Sequence, residues 1–188
     1  ALRRMLHRAV TRLLYSPLLF ERHALEGVEV WLLDSDTRDR VAAALAIVRR
    51  TDPWLHARLG ALFSGGIFVF ASDLVFRGEF HVEGKRCVLS VGDGDDGDSP
   101  WDIALTIVHE AAHARLDARG IGYPEGRRAR IERLCVGREI AFARRAGASP
   151  DDMQDWREGL EEAAFTNAAL RQKRLASLRR ELFGPAPG

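Results

Sequence analysis

A chain of 188 residues with 46% hydrophobic content is long enough to bury one core and short for several, so a single domain over 1–188 is expected. Its 28 basic and 27 acidic residues nearly cancel, leaving +1, which removes any global field for nucleic acid or acidic membranes as partners. No stretch approaches the roughly 18 uninterrupted apolar residues of a membrane span, and Cys87 and Cys135 are too far apart for a CxxC pair or a disulfide framework, so a reducing cytoplasm is the expected setting.

In chain order, Leu2, Leu6, Ala9, Val10, Leu13 and Leu14 recur at helical spacing among arginines and predict an amphipathic helix ending near Pro17. Its apolar run is broken by Ser16 and Pro17 with no small-residue cleavage site after it, so it does not read as a signal peptide. The run GVEVWLLD predicts a strand, and RDRVAAALAIVRR a helix capped near Asp36 or Thr37 and stopped before Pro53. From Gly65 to Val91, IFVFA, LVFRGEFHV and KRCVLSV are β-rich pieces of a small antiparallel or mixed sheet. VGDGDDGDSP follows; its aspartates miss the EF-hand spacing and lack the liganding glutamate, so it reads as a Gly/Asp turn. Ser99 and Pro100 then open a helix over WDIALTIVHEAAHARLDARG that stops at Gly120. RRARIERLCVGREIAFARRAG is a second helix, SPDDMQDWREGLEEAAF a third, and an Arg- and Leu-rich helix closes the chain. The expected fold class is therefore α+β, a small sheet packed on the helix that carries HEAAH, followed by a helical C-terminal half.

HEAAH sets His109 and His113 four residues apart, so on a helix both imidazoles leave the same face. Zinc hydrolases use three protein ligands and keep one position for water, which a neighbouring carboxylate deprotonates. Glu110, beside the first histidine, is the candidate general base. A third ligand is offered by Glu132, nineteen residues after His113 on the next helix.

With HEAAH, eighteen residues, then the glutamate of RIERLCVGREIAFARR, residues 101 to 145 resemble the gluzincin class of zinc metallopeptidases, specifically small single-domain members. The resemblance implies a zincin-like fold, one zinc ion per chain on His109, His113 and Glu132, Glu110 as general base and acid, and peptide or protein substrates. A metzincin reading fails, because ARLDAR after HEAAH lacks the glycine and third histidine of that class.

One departure stands out: many gluzincins place an aspartate four residues after the ligand glutamate to orient a zinc-bound histidine, and here that place is Val136. Glu139, about two turns beyond Glu132, is a candidate for the orienting role, an alternative ligand, or an ion pair with an arginine. Asp117, one turn after His113, is a further candidate for orienter or ligand, or a surface partner of Arg115 or Arg119. Tyr123 is the candidate oxyanion donor, His56 and His81 lack metal spacing, and Cys135, one turn from Glu132, reads as a small buried residue that could approach the metal. By analogy with zincins, KRCVLSV is the strand expected to pair with an extended peptide. Two other functions stay open: a catalytically weak or latent metal-binding sensor or interaction domain, and a structural helical domain whose histidines bind nothing.

Overall fold

The computed structural model describes residues 19–71, 78–92, 98–122 and 125–148. The expected first helix, the two expected C-terminal helices, Tyr123 and most of the Gly/Asp turn lie outside the described residues.

Strand β1 (Glu21–Leu25) pairs antiparallel with β2 (Val28–Leu32), Leu25 opposite Val28. Glu26 and Gly27 join them with φ of 51° and 78°. Two central residues at positive φ give the turn the twist that a two-residue hairpin needs. Along β2, Val28, Val30 and Leu32 are buried while Glu29 and Trp31 are half-buried, the period of two that marks a strand with one face on the core. Helix α1 (Arg38–Thr51) covers that face with Val41, Ala44, Leu45 and Val48. Two short helices follow, α2 (Pro53–His56) and α3 (Leu59–Leu62). Helix α1 stops before Pro53 as expected, and a new one starts there because the Asp52 side chain accepts from Leu55 N–H at 2.9 Å and Pro53 takes the first helical position.

β3 (Ile67–Ala71), β4 (Gly78–His81) and β5 (Arg86–Val91) complete a five-stranded sheet in the order β1-β2-β3-β5-β4. The β2–β3 and β3–β5 pairs are parallel and the two outer pairs antiparallel, so the sheet is mixed. A parallel pair cannot be closed by a hairpin, and α1 to α3 supply the β2-to-β3 crossover. β3 reads apolar throughout because both of its faces are covered. Ile67 and Val69 join the helices' core, while Phe68 stacks on Trp31 at 5.8 Å and meets Phe20 edge-on at 5.2 Å.

The topology corrects one expectation. KRCVLSV is no edge: β5 is hydrogen-bonded to β3 on one side and β4 on the other. The strand at that border of the sheet is β4, which also packs on the HEAAH helix.

That helix, α4 (Pro100–Asp117), starts on a reciprocal cap in which Ser99 Oγ accepts from Asp102 N–H at 3.2 Å and the Asp102 carboxylate accepts from Ser99 N–H at 3.2 Å. It lays Ile103, Ala104, Ile107 and Ala111 into the core. Helix α5 (Arg128–Arg145) runs antiparallel to it, pinned at both ends. Phe142, fully buried, lies 5.9 Å from Trp101, and at the other end Ile131 and Cys135 cluster with Ala112 and Leu116. Burial of a phenylalanine contributes about 1.5–3 kcal/mol, so the pairing of α4 with α5 is set by packing and does not depend on what lies between them. Among the described residues no helix is long and apolar enough to cross a membrane.

Candidate metal centre

His109 and His113 project from one side of α4 with ring centroids 4.9 Å apart, and α5 presents Glu132 and Glu139 to them. His109 Nε2 lies 3.1 Å from His113 Nε2 and 3.2 Å from Glu132 Oε2, and His113 Nε2 lies 3.7 Å from the same oxygen. Ligands at about 2.0–2.1 Å from a tetrahedral zinc ion stand about 3.3–3.4 Å from one another. The three observed separations bracket that figure, so the triangle fits a divalent ion without rearrangement of the helices.

The other ring nitrogen of His109 is taken by Glu139. Its Nδ1 donates to Glu139 Oε1 in a short contact, and Glu139 is buried to 4% exposure. With Nδ1 committed to Glu139, Nε2 is the nitrogen turned toward His113 and Glu132, and it is the one that would meet a cation once its own proton has left. Glu139 reaches His109 from seven residues beyond Glu132, whereas Val136 is apolar and buried.

Electrostatics favour positive charge at this point. Burial opposes protonation of His109, but hydrogen bonds to Glu132 and Glu139 and the charges of Glu139 and Glu110 outweigh it and raise its pKa well above 6.5. Burial likewise pushes Glu132 up, and the two imidazoles more than reverse this, holding it at about 2. Two carboxylates and two imidazoles so close form a cluster that needs protons or a metal ion among its acceptors.

Glu110 leaves the same helix into a buried position, 5% exposed. Burial raises its pKa from the ordinary carboxylate value, the two imidazoles pull it back, and Glu132 and Glu79 push it up again. β4 passes directly over it: a Cβ on Gly78 would stand 3.1 Å from both Cγ and Oε1 of Glu110 and 2.5 Å from the Thr106 methyl carbon. Nothing in the sequence pointed to Gly78, because its role exists only once the strand lies against the helix.

Cys135 comes closer than its sequence reading as a packing residue suggested. Its Sγ and the ligand nitrogens of His109 and His113 all lie within 4.8 Å of one another, although the residue is fully buried in its apolar cluster. Burial raises its thiol pKa far above the ordinary range, and Glu132, Glu110 and Glu139 add to the rise. Asp117 ends α4 half-buried, and among the described residues no hydrogen bond or ion pair joins its carboxylate to the cluster. His56 and His81 lie elsewhere: His56 ends α2, and His81 ends β4, 3.7 Å from Glu79.

Comparison with family models, curated proteins and solved structures gives no match.

Proposed function

We propose that this chain is a zinc-dependent metallopeptidase of the gluzincin type, with a zincin-like arrangement of sheet and helices. The observation that carries the reading is the triangle of His109 Nε2, His113 Nε2 and Glu132 Oε2, at 3.1, 3.2 and 3.7 Å, with Glu139 on the far nitrogen of His109. These three residues would hold one zinc ion per chain. A bound zinc ion supplies Lewis acidity and makes water a usable nucleophile near neutral pH.

The remaining chemistry belongs to the chain. Glu110 takes the proton of the attacking water on its carboxylate and returns it to the leaving amine nitrogen; its raised pKa suits both transfers. β4, unpaired on its outer side among the described residues, offers the edge along which an extended peptide would add as a strand, and its Gly78 backbone brings that edge against Glu110. This replaces β5 as the candidate substrate strand.

The test uses the full chain, purified and assayed for zinc and for cleavage of casein or a peptide library. About one zinc per chain is expected; Glu110→Gln keeps the metal and lowers kcat by about 10²–10⁴-fold, and Glu132→Ala loses the metal. Wild-type protein free of zinc after growth with the metal would sink the proposal.

One observation favours a second reading, a latent or sensing metal domain. The nearness of Cys135 Sγ to both imidazoles provides a fourth donor that would close the coordination against water. In that case Glu132→Ala retains zinc through Cys135, and no peptide is cleaved.

A further inference from the structure

The sheet has a second face, turned away from the helices. With Ile67, Val69, Cys87 and Leu89 in the core beneath α1 to α5, alternation along each strand puts Phe68, Phe70 and Val88 on the opposite side, and the register sets Trp31, Phe68 and Val88 in one row across β2, β3 and β5. Together with Phe20 these residues form an apolar cluster to which no residue of α1 to α5 belongs. Yet Phe68 and Val88 are only 3% and 1% exposed.

Parallel strands such as β3 occur where both faces of a sheet are covered. Among the described residues, the member of this cluster from outside the strands is Phe20, which meets Phe68 and Phe70 edge-on at 5.2 and 5.1 Å. Phe20 is itself 6% exposed, so the cover extends beyond its ring. The chain therefore reaches β1 from this face, while at the other end of the described residues Ala148 packs on the core beneath the helices. Residues 1–18 lie directly before Leu19 and Phe20. There the sequence predicts a helix with Leu2, Leu6, Ala9, Val10, Leu13 and Leu14 on one side and Arg4 and Arg8 on the other. A helix ending before Pro17 is about 24 Å long, and five strands spaced by about 4.8 Å measure about 19 Å across. One such helix is long enough to cross the whole sheet.

We propose that residues 1–18 dock on this face, laying their leucine stripe over Trp31, Phe68, Phe70 and Val88 as a third layer of the fold. Nothing in this arrangement depends on what the histidine cluster holds.

The experiment places a thiol in the buried row, Val88→Cys in the full chain, and follows its labelling by a maleimide, with the labelled positions mapped by mass spectrometry. Cys87 and Cys135, both 0% exposed and outside this face, report on the rest of the fold. Position 88 should be protected while residues 1–18 are unaltered. Leu6→Asn with Leu13→Asn should speed its labelling by about tenfold or more, with Cys87 and Cys135 still protected; Leu6→Ala with Leu13→Ala, a milder change, should give a smaller increase. Arg4→Asn with Arg8→Asn, on the opposite side of the predicted helix, should leave the rate within about twofold. Rapid labelling with residues 1–18 unaltered would overturn the proposal, as would indifference to both leucine pairs. So would equal opening of positions 87, 88 and 135 in both leucine pairs, which would make the segment a support of the fold at large. Protection that falls on dilution would assign the face to a second copy of the chain, and protection that appears only with anionic lipid vesicles would assign it to a membrane surface; either also overturns it.

Discussion

Glu139 decides which nitrogen of His109 is free, and its substitution separates orientation from ligation. Glu139→Gln keeps a side chain that can accept from Nδ1 but removes its charge, and is expected to weaken zinc affinity by about 10–100-fold, as loss of an orienting carboxylate does elsewhere. Zinc titration against a competing chelator measures it; an unchanged affinity would remove Glu139 from the site's machinery. The protons of the cluster give a second test. His109 has a raised pKa in the metal-free fold, so below its ordinary 6.5 its contribution to stability is complete, and it is lost as pH rises through the folded value. Glu132 acts at the other end: its pKa falls from 4.5 to about 2, so its contribution is present above 4.5 and disappears as pH drops toward 2. In chelator, acid unfolding of wild type should therefore be steeper over that lower window than that of Glu132→Gln. Metal uptake near neutral pH should release protons, because the ion displaces the one on His109 Nε2. Calorimetry in buffers of different ionisation enthalpy counts them, and a count of zero would contradict the His109 assignment.

At the level of elements, the fit of β4 against α4 is the most sensitive contact. Gly78→Ala places a carbon 2.5 Å from the Thr106 methyl and 3.1 Å from Glu110, so strand or helix must move. Overpacking of this kind costs about 1–3 kcal/mol, read by chemical denaturation. Thr106→Ser deletes the methyl group in the way and should recover part of the loss; no recovery would mean that the strain lies elsewhere. The same pair of elements explains what sequence could and could not disclose. HEAAH and the apolar spacing of α4 were legible, because a helix periodicity and a four-residue interval are local properties. So was α5, together with the candidacy of Glu132 and Glu139, since both lie on one side of a single helix. β1 escaped because ERHAL is a largely exposed edge without the alternation of a buried strand. The rank of β5 and β4 in the sheet escaped because strand order arises from pairings distant in sequence. Cys135 was read as a small buried residue that could approach the metal; it is buried and lies near both imidazoles, a nearness set by how two helices pack and so not fixed by its spacing alone.

For the molecule as a whole, packing and the site draw on the same two helices. Phe142 and the Ala112–Ile131–Cys135 cluster hold α4 and α5 together independently of any ion, so the metal-free protein is expected to remain folded. On the proposed reading zinc would bind only the assembled helices and add stability with its concentration: at about 100 times its Kd the gain would be about 2.7 kcal/mol. Chelation should thus lower Tm by several degrees, on the order of 5–11 °C at about 2–4 °C per kcal/mol for a domain of this size, without abolishing a cooperative transition. Wild type and Glu132→Ala should melt together once chelator is present near neutral pH, apart from the electrostatic loss of the glutamate. A chelator-induced loss of helical circular dichroism at room temperature would instead mean that the ion builds the fold.

Glu132 and Glu139 reach His109 from one rigid rod, two turns apart, and grip opposite sides of the same ring. Any sliding or roll of that rod relative to α4 would withdraw Glu132 and release the ring's orientation in a single motion. If the cluster holds the proposed ion, loading and unloading would follow one mechanical coordinate, the register of two helices, and whatever shifts that register would act as a latch on the whole centre.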